Sequence, residues 1–222
     1  MARLKEAKQF HRALLNNDAA RNYLYGRDIT DLSISEFMLG LCSPHIDHWA
    51  KGRIVFPVFD SYNRFLDFGS RKITKPGQKG EWRNGNFAHT TIGETEKGHH
   101  LYNFNMAKKY ILERQYAIIT EGYFDVITSW QNGIKNVVAT CGTSFTPTHL
   151  CLLMRYCEFL IFAYDADSAG QIASLRAANT VGDSVGIHFL GLPAGYDVDD
   201  YIREYGPTEF KSLVDQTIKD SV

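Results

Sequence analysis

No apolar run in this sequence approaches the roughly 20 residues that a bilayer-spanning helix needs. The opening segment, MARLKEAKQFHRALL, mixes charges of both signs and lacks the unbroken apolar centre of a secretory signal; it reads as an amphipathic helix. The four cysteines, Cys42, Cys141, Cys151 and Cys157, form no CxxC pair, which points to reduced thiols and a cytoplasmic setting. CSPHIDH spaces Cys42, His45 and His48 at steps of three. A structural zinc site needs four ligands, however, and no fourth stands at a familiar spacing, so an ordinary loop is expected. Internal repeats and low-complexity tracts are also missing. A length of 222 residues suits one large domain or two small ones.

Net charge is nearly absent too, at −1, but it is unevenly distributed. Residues 1–110 hold 17 Lys/Arg against 11 Asp/Glu, or +6, and residues 111–222 hold 7 against 14, or −7. Two readings follow: complementary faces of one fold, or a phosphate-binding surface together with a divalent-cation site.

Along the chain, residues 4–40 read as short helices, with Ser33 as a candidate N-cap and Gly40 as a stop. GRIVFPVFDSYNRFLDFGSR then predicts two strands, about 53–59 and 64–69, around the turn Asp60–Ser61–Tyr62–Asn63. Residues 72–99, rich in Gly, Lys and Thr, read as a long loop. From residue 115 onward short apolar strands (YAIIT, NVVAT, FLIFAY, SVGIHFL) alternate with helices. That pattern predicts an α/β fold with a parallel sheet flanked by helices, preceded by a basic α+β subdomain.

In such a sheet ligands sit beyond the carboxyl ends of the strands. Glu121 follows the first strand of this region, and Asp165 and Asp167 follow the third. Asp197, Asp199 and Asp200 come after the fourth. Glu121, Asp165, Asp167, Asp197 and Asp199 could therefore converge, and divalent cations would relieve their repulsion. Capping is the plainer reading: Asp167 before SAGQIASLRAA, Asp199 before DYIREYG, and Glu121 at the start of its helix. Asp165 has no such capping role.

EGYFDVI, VVATCGTSFT, FAYDADSAGQ and LPAGYDVDDYI together resemble the TOPRIM domain, more narrowly that of DnaG-type bacterial and phage primases. ARNYLYGRDI, GRIVFPVFD and RFLDFGSR look like the basic N-terminal part of the primase RNA polymerase core, so the resemblance covers most of residues 10–210 in matching order. It implies three parts: a basic subdomain over 1–112, a TOPRIM catalytic domain over 113–205 and a C-terminal helix over 206–222. It also implies a nucleotidyltransferase that makes short RNA primers on a single-stranded DNA template from nucleoside triphosphates during DNA replication. The cofactor implied is Mg²⁺, with Mn²⁺ able to substitute.

Carried over, Glu121 resembles the TOPRIM glutamate, a catalytic and metal-linked group, and Asp165 and Asp167 resemble the DxD metal ligands, also catalytic. Asp197 and Asp199 resemble the second acidic pair. Arg21, Arg53 and Arg71 resemble residues that contact template or nucleotide phosphates, and Arg64 and Lys72 lie near the same strands. The family's lysine motif between the subdomains is not matched within KPGQKGEWRNGNFAHTTIG, where Lys75, Lys79 and Arg83 are candidates to replace it. Tyr62, Phe65 and Trp82 are interleaved with these charges; Phe65 can equally pack the sheet, and Trp82 is the better base-stacking candidate. The resemblance also implies a replicative helicase and a zinc-binding module as partners, on separate chains or removed segments, no membrane, and a bacterial or phage-infected cytoplasm. A TOPRIM-type nuclease and a non-catalytic DNA-binding module of the replisome are the alternatives.

Overall fold

The computed structural model describes residues 2–74, 81–84, 97–142, 144–164, 179, 181 and 185–220. Lys75, Lys79, Asp165, Asp167 and most of the helix expected over 171–181 lie outside the described residues. The chain divides into two compact units, residues 1–93 and 94–222.

The first unit opens with helices α1 (Ala2–Leu15), α2 (Asp18–Tyr25) and α3 (Asp31–Glu36). The helical pattern running through residues 10–29 is broken at Asn17, whose side chain accepts from Ala20 N–H at 2.9 Å and starts α2. Ser33 is not the cap of α3. Thr30 holds that place, its hydroxyl accepting from Ser33 N–H at 3.2 Å, because the helix begins three residues before the expected point. Strands β1 (Gly40–Cys42), β2 (Arg53–Phe59), β3 (Phe65–Lys72) and β4 (Trp82–Asn84) form an antiparallel sheet in that order. The predicted hairpin is present: Asp60 Oδ1 accepts from Tyr62 and Arg64 N–H, both at 2.9 Å, and Asn63 turns the chain at φ 61°. β4 pairs with the end of β3, so the segment expected to be all loop contributes a strand.

Helix α1 packs on β1, β2 and β3, and Ala7 and Phe10 meet Cys42, Ala50, Val55 and Phe68 in the core. Gly40 does not stop a helix; it begins β1 where α1 crosses closest. A Cβ there would stand 2.8 Å from Phe10 Cβ and 2.9 Å from Val55 Cγ2. Gly40→Ala is expected to destabilise this unit by about 1–3 kcal/mol through overpacking. A urea midpoint equal to the parent's would contradict the close helix–strand contact. Cys42 lies in this core and the His48 ring packs against it. Cys42 Sγ lies 3.6 Å from His48 Nδ1, which accepts from Ala50 N–H at 3.1 Å, and the imidazole packs edge-on to Phe10. Burial, and secondarily the charge of Glu6, pushes the Cys42 thiol up to about 11.

The second unit is built on a four-stranded parallel sheet: β5 (Tyr116–Thr120), β6 (Val137–Ala139), β7 (Phe159–Phe162) and β8 (Gly186–Phe189), in the order β6-β5-β7-β8. Alternation along the strands divides the packing. Ala117, Ile119, Leu160 and Phe162 meet α4 (Phe104–Arg114) and α6 (Pro147–Leu153) through Phe104, Ala107, Ile111, Leu150 and Leu153. α5 (Tyr123–Gln131), α7 (Val198–Tyr205) and α8 (Pro207–Lys219) form the remaining helical layer, where Ile118 shares a cavity wall with Ile134, Phe210 and Val214.

The units separate at 93/94, not at the expected 112/113. α4, which the expected boundary would cut, packs on β5 and β6. Just before it Tyr102 N–H donates to Ala139 O at 2.9 Å, and Asn103 Nδ2 donates to Val137 O at 3.0 Å, closing the outer edge of β6.

Candidate active site

The carboxyl ends of the parallel strands are tied side by side. Thr140 N–H donates to Thr120 O at 3.2 Å, Cys141 N–H to Glu121 O at 3.1 Å, and Ala163 N–H to Ile119 O at 2.9 Å. The register between β5 and β7 sets Glu121 across from Tyr164, the residue before Asp165. Glu121 is half-buried, with Oε1 withdrawn from solvent. Its charge is felt locally: burial first, and Glu121 second, push the Tyr164 hydroxyl pKa up and so oppose its ionisation.

Past β8 the chain turns through Pro193–Tyr196, where Tyr196 N–H donates to Pro193 O at 3.2 Å. Gly195 stands in this turn at φ +88°, a conformation that costs a side-chain-bearing residue. The turn delivers Asp197 to the start of α7. Asp197, not Asp199, is the N-cap: its Oδ1 accepts from Asp200 N–H at 2.7 Å. The helix begins two residues earlier than the sequence suggested, and Val198 and Asp199 are already buried within it.

Asp199 is 0% exposed. Its Oδ1 accepts from Thr128 Oγ1 at 2.6 Å, and its N–H donates to Asp125 Oδ1 at 3.2 Å. Asp125 Oδ2 accepts from Gly122 N–H at 2.8 Å, closing the first turn of α5. Hydrogen bonds thus run from the glycine beside Glu121, through Asp125, to the second acidic loop. Carboxylate oxygens of Asp197, Asp199 and Asp200 lie within 4.8 Å of one another, the one such group among the described residues that could hold a metal ion. The N-terminus of α7 favours negative charge there, and Arg203 Nη1 stands 3.7 Å from Asp200.

Sequence reasoning missed Asp125 and left Asp200 out of the ligand set. Both stand three residues beyond an N-cap, Gly122 and Asp197, so their shared signal was helix-start spacing rather than acidic pairing. On the other side of this edge, Thr146 caps α6 and its Oγ1 donates to Gly98 O at 2.6 Å, pinning the 3-10 turn Lys97–His99. The buried His149 completes that cap through Nδ1, and burial above all holds its pKa down to about 4.

A family profile described as Toprim-like matches residues 118–202. The DNA primase of Rickettsia typhi is 32% identical over an alignment covering 97% of this chain and 41% of that protein. That of Clostridium acetobutylicum is 31% identical over 97% of this chain and 40% of its own length. The solved Aquifex aeolicus primase (zinc-binding and RNA polymerase domains) superposes with a TM-score of 0.83 at 28% identity, covering 96% of this chain and 60% of that one. A DNA primase domain from Pseudomonas aeruginosa gives 0.82 at 28%, covering 96% and 77%. The chain belongs to the DnaG-type primase family. It spans about two-fifths of the length of these curated primases, and the acidic edge described above falls within the segment matched as TOPRIM-like.

The basic residues of the first unit do not form one surface. Across the sheet Arg53 pairs with Lys72, and Ser70 with Arg83, so these side chains share a face; Arg71 alternates to the other. Arg53 is buried, its Nε donating to Ser70 Oγ at 3.1 Å and its Nη2 to Glu81 O, and Glu81 Oε2 lies 3.6 Å from Nη1. Arg83 donates to Glu81 at 2.6 Å from an exposed position, and Lys72 is exposed. Arg71 donates to Tyr23 Oη at 2.9 Å, Arg64 to Asp60 at 2.5 Å and Arg21 to Asp18 at 2.5 Å. Phe65 packs the sheet, its ring 4.9 Å from that of Phe68, whereas Tyr62 is 76% exposed and available for stacking. Among the described residues no helix is long and apolar enough to cross a membrane.

Proposed function

We propose that this chain is a primase catalytic core: a metal-dependent nucleotidyltransferase that builds short RNA primers on single-stranded DNA from nucleoside triphosphates. The alignment with DNA primases carries this reading, because it spans 97% of the chain and takes in the basic N-terminal unit as well as the acidic sheet. A TOPRIM match alone would suit a nuclease equally well. A DnaG primase catalytic domain solved with single-stranded DNA, 27% identical and covering 96% of this chain, supports the template class.

The clustered hard oxygen donors of Asp197, Asp199 and Asp200 fit Mg²⁺ or Mn²⁺ and argue against a soft metal. When bound, such a cation supplies charge neutralisation around the reacting phosphates. In the reaction a primer 3′-hydroxyl attacks the α-phosphorus of the incoming nucleotide and pyrophosphate leaves. Glu121, at the exit of β5, orients the polar groups around that centre. Asp165 and Asp167, by their place after β7, and Asp197 and Asp199 supply carboxylates to the same edge. Lys72, Arg83, Arg21, Arg64, Arg71, Lys75 and Lys79 are assigned to phosphates of template and nucleotide. Arg53, enclosed by Ser70 and Glu81, shapes the sheet that carries Arg71, Lys72 and Arg83. A zinc-binding module and a replicative helicase as partners, and a bacterial or phage-infected cytoplasm, belong to the same proposal.

The test is incubation with single-stranded DNA, nucleoside triphosphates and Mg²⁺ or Mn²⁺. Oligoribonucleotides should form, vanish with EDTA and decline steeply with added salt, as phosphate contacts require. Nicking of plasmid DNA without oligoribonucleotide synthesis would replace this reading with the nuclease.

A further inference from the structure

α5 is buried from Tyr123 to Trp130, and within it Asp125, Thr128 and Ser129 are the polar residues. Asp125 and Thr128 stand three apart and so share a helix face. Both reach the same residue of α7: Asp125 accepts the Asp199 N–H, and Thr128 donates to the Asp199 carboxylate. A threonine inside a helix usually returns its hydroxyl proton to a carbonyl one turn back. Thr128, 0% exposed, instead directs it across to Asp199 over 2.6 Å.

We propose that Thr128 is a positioning residue for the acidic edge, its hydroxyl fixing the Asp199 carboxylate while Asp125 holds the Asp199 N–H, so that the group formed with Asp197 and Asp200 is ready to receive a divalent cation. This rests on the metal-dependent reading above. The hydroxyl occupies one lone pair of Oδ1 and restricts rotation of the side chain. Hydrogen-bond partners behind metal ligands commonly set affinity by such means. The residue acts through Asp199 and need not touch substrate.

The test uses the 222-residue chain and Mn²⁺ alone, with free Mn²⁺ followed by electron paramagnetic resonance in the absence of DNA and nucleotide. Thr128→Val keeps the shape and removes the hydroxyl, and should weaken Mn²⁺ binding by about 10–100-fold. Thr128→Ser restores the donor and should bind close to wild type. Melting curves in EDTA identify any variant that fails to fold. Should valine be rejected by the core, Thr128→Ala removes the same donor without adding bulk. Unchanged affinity in the folded Val or Ala variant, while Asp197→Ala loses it, sinks the role of Thr128 and leaves the metal reading intact. Serine as weak as valine also overturns it, since methyl packing would then be responsible. Absence of Mn²⁺ uptake by the parent chain overturns both.

Discussion

Primer synthesis by Glu121→Gln is expected to fall by roughly 10²–10⁴-fold, the range for losing a positioned acid–base or charge-stabilising group. Glutamine has nearly the same size as glutamate, so the change removes charge rather than packing. Glu121 stands where β5 ends, across the register from Tyr164 and one step short of Asp165, with Oε1 withdrawn from solvent. Its charge is visible in the raised pKa of Tyr164, to which it adds after burial. The melting temperature should change little, because the backbone groups of this exit are tied to Thr140 and Cys141 irrespective of the side chain. The measurement is the initial rate of oligoribonucleotide formation at saturating Mg²⁺ and nucleotide. A rate within tenfold of the parent would remove Glu121 from the chemistry.

Phe162→Ala should destabilise the parallel unit by about 3–5 kcal/mol, a large part of the 5–15 kcal/mol by which domains are usually stable. Phe162 is 1% exposed at the end of β7, between β5 and β8. Its ring meets Phe145 edge-on at 5.1 Å and lies 5.4 Å from Tyr164 and 5.7 Å from Phe189. Truncation would open a cavity directly behind the strand exits. Chemical denaturation followed by far-UV circular dichroism measures the loss. Phe189→Ala, at a 44% exposed neighbour, provides the contrast and should lose much less. Equal losses at the two positions would show that the sheet is not packed as described.

Local pattern made the parallel sheet legible. Strands buried on both faces leave continuous apolar runs, and Ile118–Ile119, Val137–Val138 and Leu160–Ile161 stand out for that reason. The acidic exits followed from the rule that ligands gather at strand carboxyl ends. What escaped were choices made by tertiary contact. Gly40 has the form of a helix stop, yet its reason lies in Phe10, thirty residues earlier in the chain. α4 carries no mark of the unit it belongs to until it is seen on β5 and β6. Asp125 escaped notice because its partner, Asp199 N–H, is 74 residues away. Linear proximity also hides the alternation that sends Arg71 and Lys72 to opposite faces of the sheet.

The grip of α5 on α7 joins residues 71 apart in sequence, and it has a consequence in time as well as in space. Closing a loop that long is entropically slower than forming the local turns it encloses. During synthesis Glu121 and Asp125 leave the ribosome well before Asp197 and Asp199 exist. A nascent chain halted before α7 can hold the first strands of the sheet but not the completed acidic edge. Cation affinity at this edge should therefore appear only once α7 has been made and docked on α5.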